Sequence, residues 1–188
     1  MKTKFLISIG IMATGSVLYA MKFDVNTEMS SLEWEGKKIG GKHNGYIQLQ
    51  RGDLKIENDQ IVGGSFVVDM TSITNADIKD EGTNQKLVGH LKSDDFFGVE
   101  SFPTASFEVV QATKFENGTA TLTGDITIKG KTERISFEVS KMESEYTADV
   151  VIDRSKFDVR YGSKSFFNNL GDRAIDDLFT LRIKLVVG

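Results

Sequence analysis

The chain has 188 residues, one proline, no cysteine and a formal charge of −4. Lack of cysteine excludes disulfides, a thiol nucleophile and thiolate metal sites, and the acidic balance makes the chain a poor general binder of nucleic acid or anionic lipid surfaces. The length supports one domain with a sizeable core and leaves little room for a second. At the N-terminus Lys2 and Lys4 precede an uncharged, mostly apolar stretch from Phe5 to Val17, followed by Leu18, Tyr19 and Ala20. This is the layout of a secretory signal peptide, and the stretch is shorter than the roughly 20 residues that span a bilayer. Residues 1–20 are therefore expected to be a cleaved leader, with 21–188 the mature domain, periplasmic or secreted and without a stable membrane anchor. Losing Lys2 and Lys4 leaves 21 cations against 27 acids, a formal charge of −6.

Strands are predicted near Phe23 to Glu28, Leu32 to Glu35, Gly45 to Gln50, Leu54 to Glu57 and Val62 to Met70, with Asn58 and Asp59 as the turn between the last two. Alternation then stops between Ile73 and Pro103. Within that interval Leu87 and Leu91, four apart, fit a short helix over Thr83 to Lys92, capped by Thr83 or Asn84. Asp94 and Asp95 read as a further capped turn that buries Phe96 and Phe97. From residue 104 strict alternation returns. Ala105, Phe107 and Val109 share one face, then Leu122, Ile126 and Ile128, then Ile135, Phe137 and Val139, then Ala148, Val150 and Ile152, and finally Leu181, Ile183, Leu185 and Val187. Such files mark antiparallel strands with one buried and one wet face. Asn117-Gly118 is a two-residue hairpin signal, and Gly130 supplies another tight connection. Tyr161 to Asp177 reads as a long ordered loop whose acids Asp172, Asp176 and Asp177 are solvated.

Eight to ten such strands make an all-β antiparallel domain. Alternation alone fits a closed barrel or two packed sheets, because both bury one face per strand. The apolar faces fit either a packed core or a cavity for a hydrocarbon.

Five stretches resemble the YceI family in order along the chain: WEGKKIGGKHNG at 34–45, GGSFVVDMTSI at 63–73, GHLKSDDFF at 89–97 with FPTASF at 102–107, GDITIKG at 124–130, and DRSKF at 153–157. The resemblance implies an eight-stranded, lipocalin-like antiparallel β-barrel with a short helix and long loops at one end. It also implies export to the periplasm and an elongated pore for a polyisoprenoid, an isoprenoid quinone, a fatty amide or a similar long-chain lipid. A homodimer is expected by analogy with relatives. Many relatives carry an Arg-Asp pair just before the His-Leu, where this chain has Lys86-Leu87-Val88-Gly89.

On this reading the lipid tail runs along Ile47, Leu49, Phe66, Val68, Phe107, Leu122, Ile126, Phe137, Val150, Ile152 and Ile183. Phe97, with Phe96 and Phe102, closes one end. His43 and His90, beside glycines in the family stretches, are expected near the pore mouth, and Lys92 and Arg154, at apparent element ends, are candidates for a polar head group. Arg154 next to Asp153 also fits a plain ion pair. Two distant histidines are a thin supply of metal ligands, so neither a metal nor another cofactor is expected. The mature chain carries neither G-x-S-x-G nor S-x-x-K, and no phosphate-cradling glycine motif, so a binding protein is expected rather than an enzyme. The competing readings are a protein-interaction or stress-response module with exposed aromatics at Phe166 and Phe167, and a lipid-acting enzyme using His43 or His90.

Overall fold

The computed structural model describes residues 20–188, so the expected leader lies outside the described residues except for Ala20. Nine strands and one α-helix follow: β1 (Met21–Asp24), β2 (Ser31–Lys38), β3 (Gly41–Glu57), β4 (Gln60–Asp69), α1 (Glu81–Lys92), β5 (Thr104–Ala112), β6 (Thr119–Ile128), β7 (Lys131–Met142), β8 (Glu145–Asp153) and β9 (Ile175–Val186). All pairings are antiparallel, and consecutive strands from β2 to β9 are neighbours. Pairing of β2 with β9 closes the ring, and the closed barrel is what separates this fold from a two-sheet sandwich. The nine strands make eight staves. β1 and β2 both pair with β3, β1 against its residues 53–56 and β2 against 41–47, so together they form one interrupted stave.

Turn chemistry matches the hairpins. Asn58 and Asp59, Asn117 and Gly118, and Lys129 and Gly130 all have positive φ, the conformation that two-residue turns between right-twisted strands require. Several element boundaries differ from expectation; the first strand, expected to reach Glu28, ends at Asp24. The two strands expected at 45–50 and 54–57 are one long strand, β3, because a register shift between Leu49 and Arg51 bends it without breaking it. The helix begins at Glu81 because Asp80, not Thr83 or Asn84, is its cap; the Asp80 carboxylate accepts the Thr83 N–H at 2.8 Å. The long loop ends at Ala174, and Ile175 to Asp177 already belong to β9.

The barrel has two unlike ends. One carries the short β3–β4 and β7–β8 turns and the β5–β6 connection, and it is filled by buried Leu54, Ile61 and Tyr146. Tyr146 sits beneath Lys141, which bonds Asp59 from the β3–β4 turn. The other end carries both long connections, residues 70–103 with α1 and residues 154–174. Leu91, Phe96, Phe157 and Val159 are buried there. Lys129 fastens the first connection by donating to the carbonyls of Asp94 and Phe96 at 2.9 and 2.8 Å.

The same connection crosses β3 at Gly45, whose backbone leaves no room for a side chain. A Cβ there would stand 1.9 Å from the Thr74 carbonyl oxygen and 2.9 Å from Asn75 Cα, both main-chain atoms. Gly45→Ala is expected to cost about 3 kcal/mol, the upper range for forced overpacking, and to lower the thermal midpoint by roughly 6–12 °C in a domain of this size. Calorimetry of the two proteins checks this.

Candidate ligand-binding lumen

Period-two alternation sends one file of side chains from every stave to the barrel axis. The files enclose a void of about 210 Å³ lined almost wholly by carbon. It exceeds the engineered cavity of about 150 Å³ that stays dry and admits benzene. Ile47, Leu49, Phe66, Val68, Phe97, Phe107, Leu122, Ile126, Phe137, Val150, Ile152 and Ile183 all face it, as do Trp34, Phe96 and Phe179. Trp34, the single tryptophan, is held by its indole N–H donating to the Thr74 carbonyl at 3.0 Å.

Three phenylalanines cross the void in a row, with ring centroids 6.4 Å apart for Phe66 and Phe107 and 5.6 Å for Phe107 and Phe137. Phe107 on β5 reaches Phe137 on β7 over the intervening β6 because β6 has Gly124 at that level. A Cβ on Gly124 would be 2.3 Å from the Phe107 ring. Neither the row nor the lining by Trp34 and Phe179 was foreseen. Gly124 inside an otherwise alternating apolar run was the available signal.

The four residues expected at a pore mouth are not assembled into one. Only Arg154 reaches the lumen, at the end covered by the long connections. It is 2% exposed, and its guanidinium donates to the carbonyls of Asp176 (3.0 Å), Val159 (2.9 Å), Tyr161 (2.8 Å) and Ile175 (3.2 Å). Its remaining edge meets Asp177 Oδ1 at 3.2 Å, and its plane lies over the Phe96 ring. Arg154 is therefore spent on tying the 158–177 segment across the barrel end, with four of its five N–H groups held by carbonyls and its charge facing Asp177. The alternative of an ion pair with Asp153 is not what forms either: Asp153 caps the following turn, accepting from the Ser155 N–H and hydroxyl. Asp177, expected to be solvated, is instead half-buried. Burial works against its charge, yet hydrogen bonds from Ser163 and Ser165 and the nearby Arg154 charge outweigh it and hold the carboxyl below its ordinary range. Burial likewise lowers the Arg154 pKa, with Asp177, Asp153 and Asp176 opposing.

His90 lies on α1 outside the lumen, edge-on to Tyr161 at 4.3 Å and Phe96 at 5.8 Å, and its Nε2 is buried without a partner among the described residues. Lys92 ends α1 and does not line the void. His43 Nδ1 meets Asp77 Oδ2 at 2.8 Å near the start of β3, two residues from Gly45 and outside the set of residues that line the void. Asp77 also accepts from the Asn44 N–H and the Asn75 amide, so the group pins the connection that carries α1. Partial burial opposes ionisation of Asp77, but these donors, led by His43, bring its pKa from 3.8 to about 2.

The sequence matches the YceI-like domain over residues 23–187. The chain belongs to the YceI family. Among solved structures, this YceI chain is similar to Burkholderia cenocepacia BcnA, with 20% identity, a TM-score of 0.67, and coverage of 87% of this chain and 99% of that one. It is also similar to a polyisoprenoid binding domain from Saccharophagus degradans, at 13% identity and a TM-score of 0.61, covering 88% and 97%. The Campylobacter jejuni YCEI protein gives 16%, 0.52, and 100% and 91%. At these identities the shared property is the fold. No curated protein matches the sequence.

Two outcomes follow from the fastenings. Arg154→Met strips four carbonyls of their donor and leaves Asp177 uncompensated, which is expected to cost about 3–5 kcal/mol, measured by urea unfolding. Asp77, with its folded pKa depressed, contributes fully above about pH 4 and loses its contribution as pH falls toward 2. The stability gap between the protein and Asp77→Asn, about 1 kcal/mol once solvent screening of this third-exposed group is allowed for, is expected to vanish over that window in urea titrations.

Proposed function

We propose that the protein is an exported carrier that holds one long-chain apolar lipid in its lumen: a polyisoprenoid, an isoprenoid quinone or a fatty amide. The observation that supports this reading best is the void itself. Apolar side chains from all eight staves face a space that they do not fill, whereas an ordinary core packs to the density of an organic crystal. Each methylene moved from water into such a space contributes about 0.8 kcal/mol, so a chain of even moderate length binds without any charged contact. The Saccharophagus domain of the same fold is described as polyisoprenoid binding. Export is supported by Lys2, Lys4 and the short apolar stretch that follows. The protein binds its ligand and does not transform it.

Native mass spectrometry of protein purified from a cell envelope without detergent tests the reading, with one long-chain lipid per lumen expected. A clean protein that also refuses added polyprenol overturns it. A second measurement uses the single tryptophan, whose emission is expected to be quenched by a conjugated long-chain lipid. Ile126→Phe, which adds bulk at a lining position and keeps Trp34 the single tryptophan, is expected to weaken that binding roughly tenfold or more, since overpacking and ligand compete for the same space.

A further inference from the structure

The barrel wall is incomplete at one place. β7 and β8 pair only at Ser140–Met142 with Glu145–Thr147, next to their turn. Beyond it, β7 is bonded to β6 and β8 to β9, but residues 131–139 and 148–153 have no ladder partner on the edges that face each other. A cleft runs between those edges, and Phe137, Ala148, Val150 and Ile183 line both this cleft and the lumen. Val150 is buried, but Phe137, Ala148 and Ile183 are inward-facing side chains that stay partly exposed at this gap in the wall. The slit is bounded at one end by the hairpin and at the other by the turn after β8, where Lys131 and Asp158 approach to 4.0 Å.

One outward pair in the sequence opposes closure, although Asp149 also faces Arg182 on β9. Extending the observed register would place Glu138 directly opposite Asp149 on the outer face, and like charges in that position destabilise a strand pair. The next outer pair would be Ser136 and Val151, and Val151 is 58% exposed. Inside, the void of about 210 Å³ fills with a short length of chain. One barrel end is stopped by Leu54, Ile61 and Tyr146, and the other is strapped by the Arg154 fastening.

Resting on the carrier reading, we propose that the β7–β8 slit is a lateral port: an apolar chain enters the lumen sideways between these strands, and any length beyond what the lumen holds leaves by the same gap. Closing the ladder closes the port. The Glu138–Asp149 repulsion keeps it open in the empty protein.

The test is stopped-flow quenching of Trp34 by parinaryl alcohol, a straight-chain alcohol with conjugated double bonds, on lipid-stripped protein. The chain has no cysteine, so Ser136→Cys with Val151→Cys introduces a single pair. A disulfide requires Cβ atoms about 4 Å apart, so oxidation locks the slit shut. Oxidised protein is expected to take up the alcohol roughly tenfold or more slowly, as for a closed gate, with recovery on reduction. Glu138→Lys, which turns the repulsive pair into an attractive one at an exposed position, is expected to slow uptake in the same direction and serves if the thiols do not oxidise. Uptake at the original rate in the oxidised pair, or in Glu138→Lys if no disulfide forms, overturns the port while leaving the carrier reading intact. Absence of quenching in the unmodified protein at every lipid concentration removes both.

Discussion

Each stave turns a file of apolar side chains toward one axis, and only a ring closed by the β2–β9 ladder lets all of these files face one another. The remaining features answer to that constraint. Eight strands set the diameter, and at that diameter an interior either fills with side chains or holds one small ligand. Here glycine on β6 lets three phenylalanine rings meet across the axis, and the lining stops short of filling the space. The void is thus a product of residue choice within a fixed frame, and aromatic rings that stack loosely set its shape.

Strand positions were legible because burial of one face imposes a period of two that sequence displays directly. From Ala105 onward the expected inward residues line the lumen or, as for Val109, Ile135 and Val187, pack with the core, and the positive-φ turn residues lie where Asn117-Gly118 and Gly130 placed them. Alternation does not encode closure, since Leu32 meeting Ile183 across the β2–β9 ladder is a contact between distant segments. The bend in β3 was hidden for a similar reason. Residues 51–53, Arg-Gly-Asp, read as a break in the hydrophobic pattern, whereas the backbone continues through them with one shifted register.

The polar residues were harder to place than the apolar ones. An apolar side chain on an alternating strand has two possible faces, and its hydrophobicity selects one. Arg154, His43 and His90 lie in or near irregular segments, and their roles depend on which carbonyl, carboxylate or ring another segment brings to them. Arg154 meets four carbonyls, all downstream in the loop and the start of β9. Nothing local to Asp153-Arg154-Ser155 marks that convergence. The like-charged Glu138 and Asp149 belonged to the legible class, but their meaning required the register that would have joined them.

The ladder between β2 and β9 also governs the order in which the molecule can be made. It joins residues near the two ends of the described chain, and Val25 bridges Val187 beside it. Contacts so remote in sequence carry a large loop-closure cost and form slowly, as in other domains dominated by non-local strand pairing. Sequential hairpins from β3 to β8 can assemble earlier, but they make a curved open sheet with its apolar face partly wet. The lumen comes into existence only when β9 docks. Until then there is no enclosed space to capture a hydrocarbon, and folding itself withholds binding from an unfinished chain.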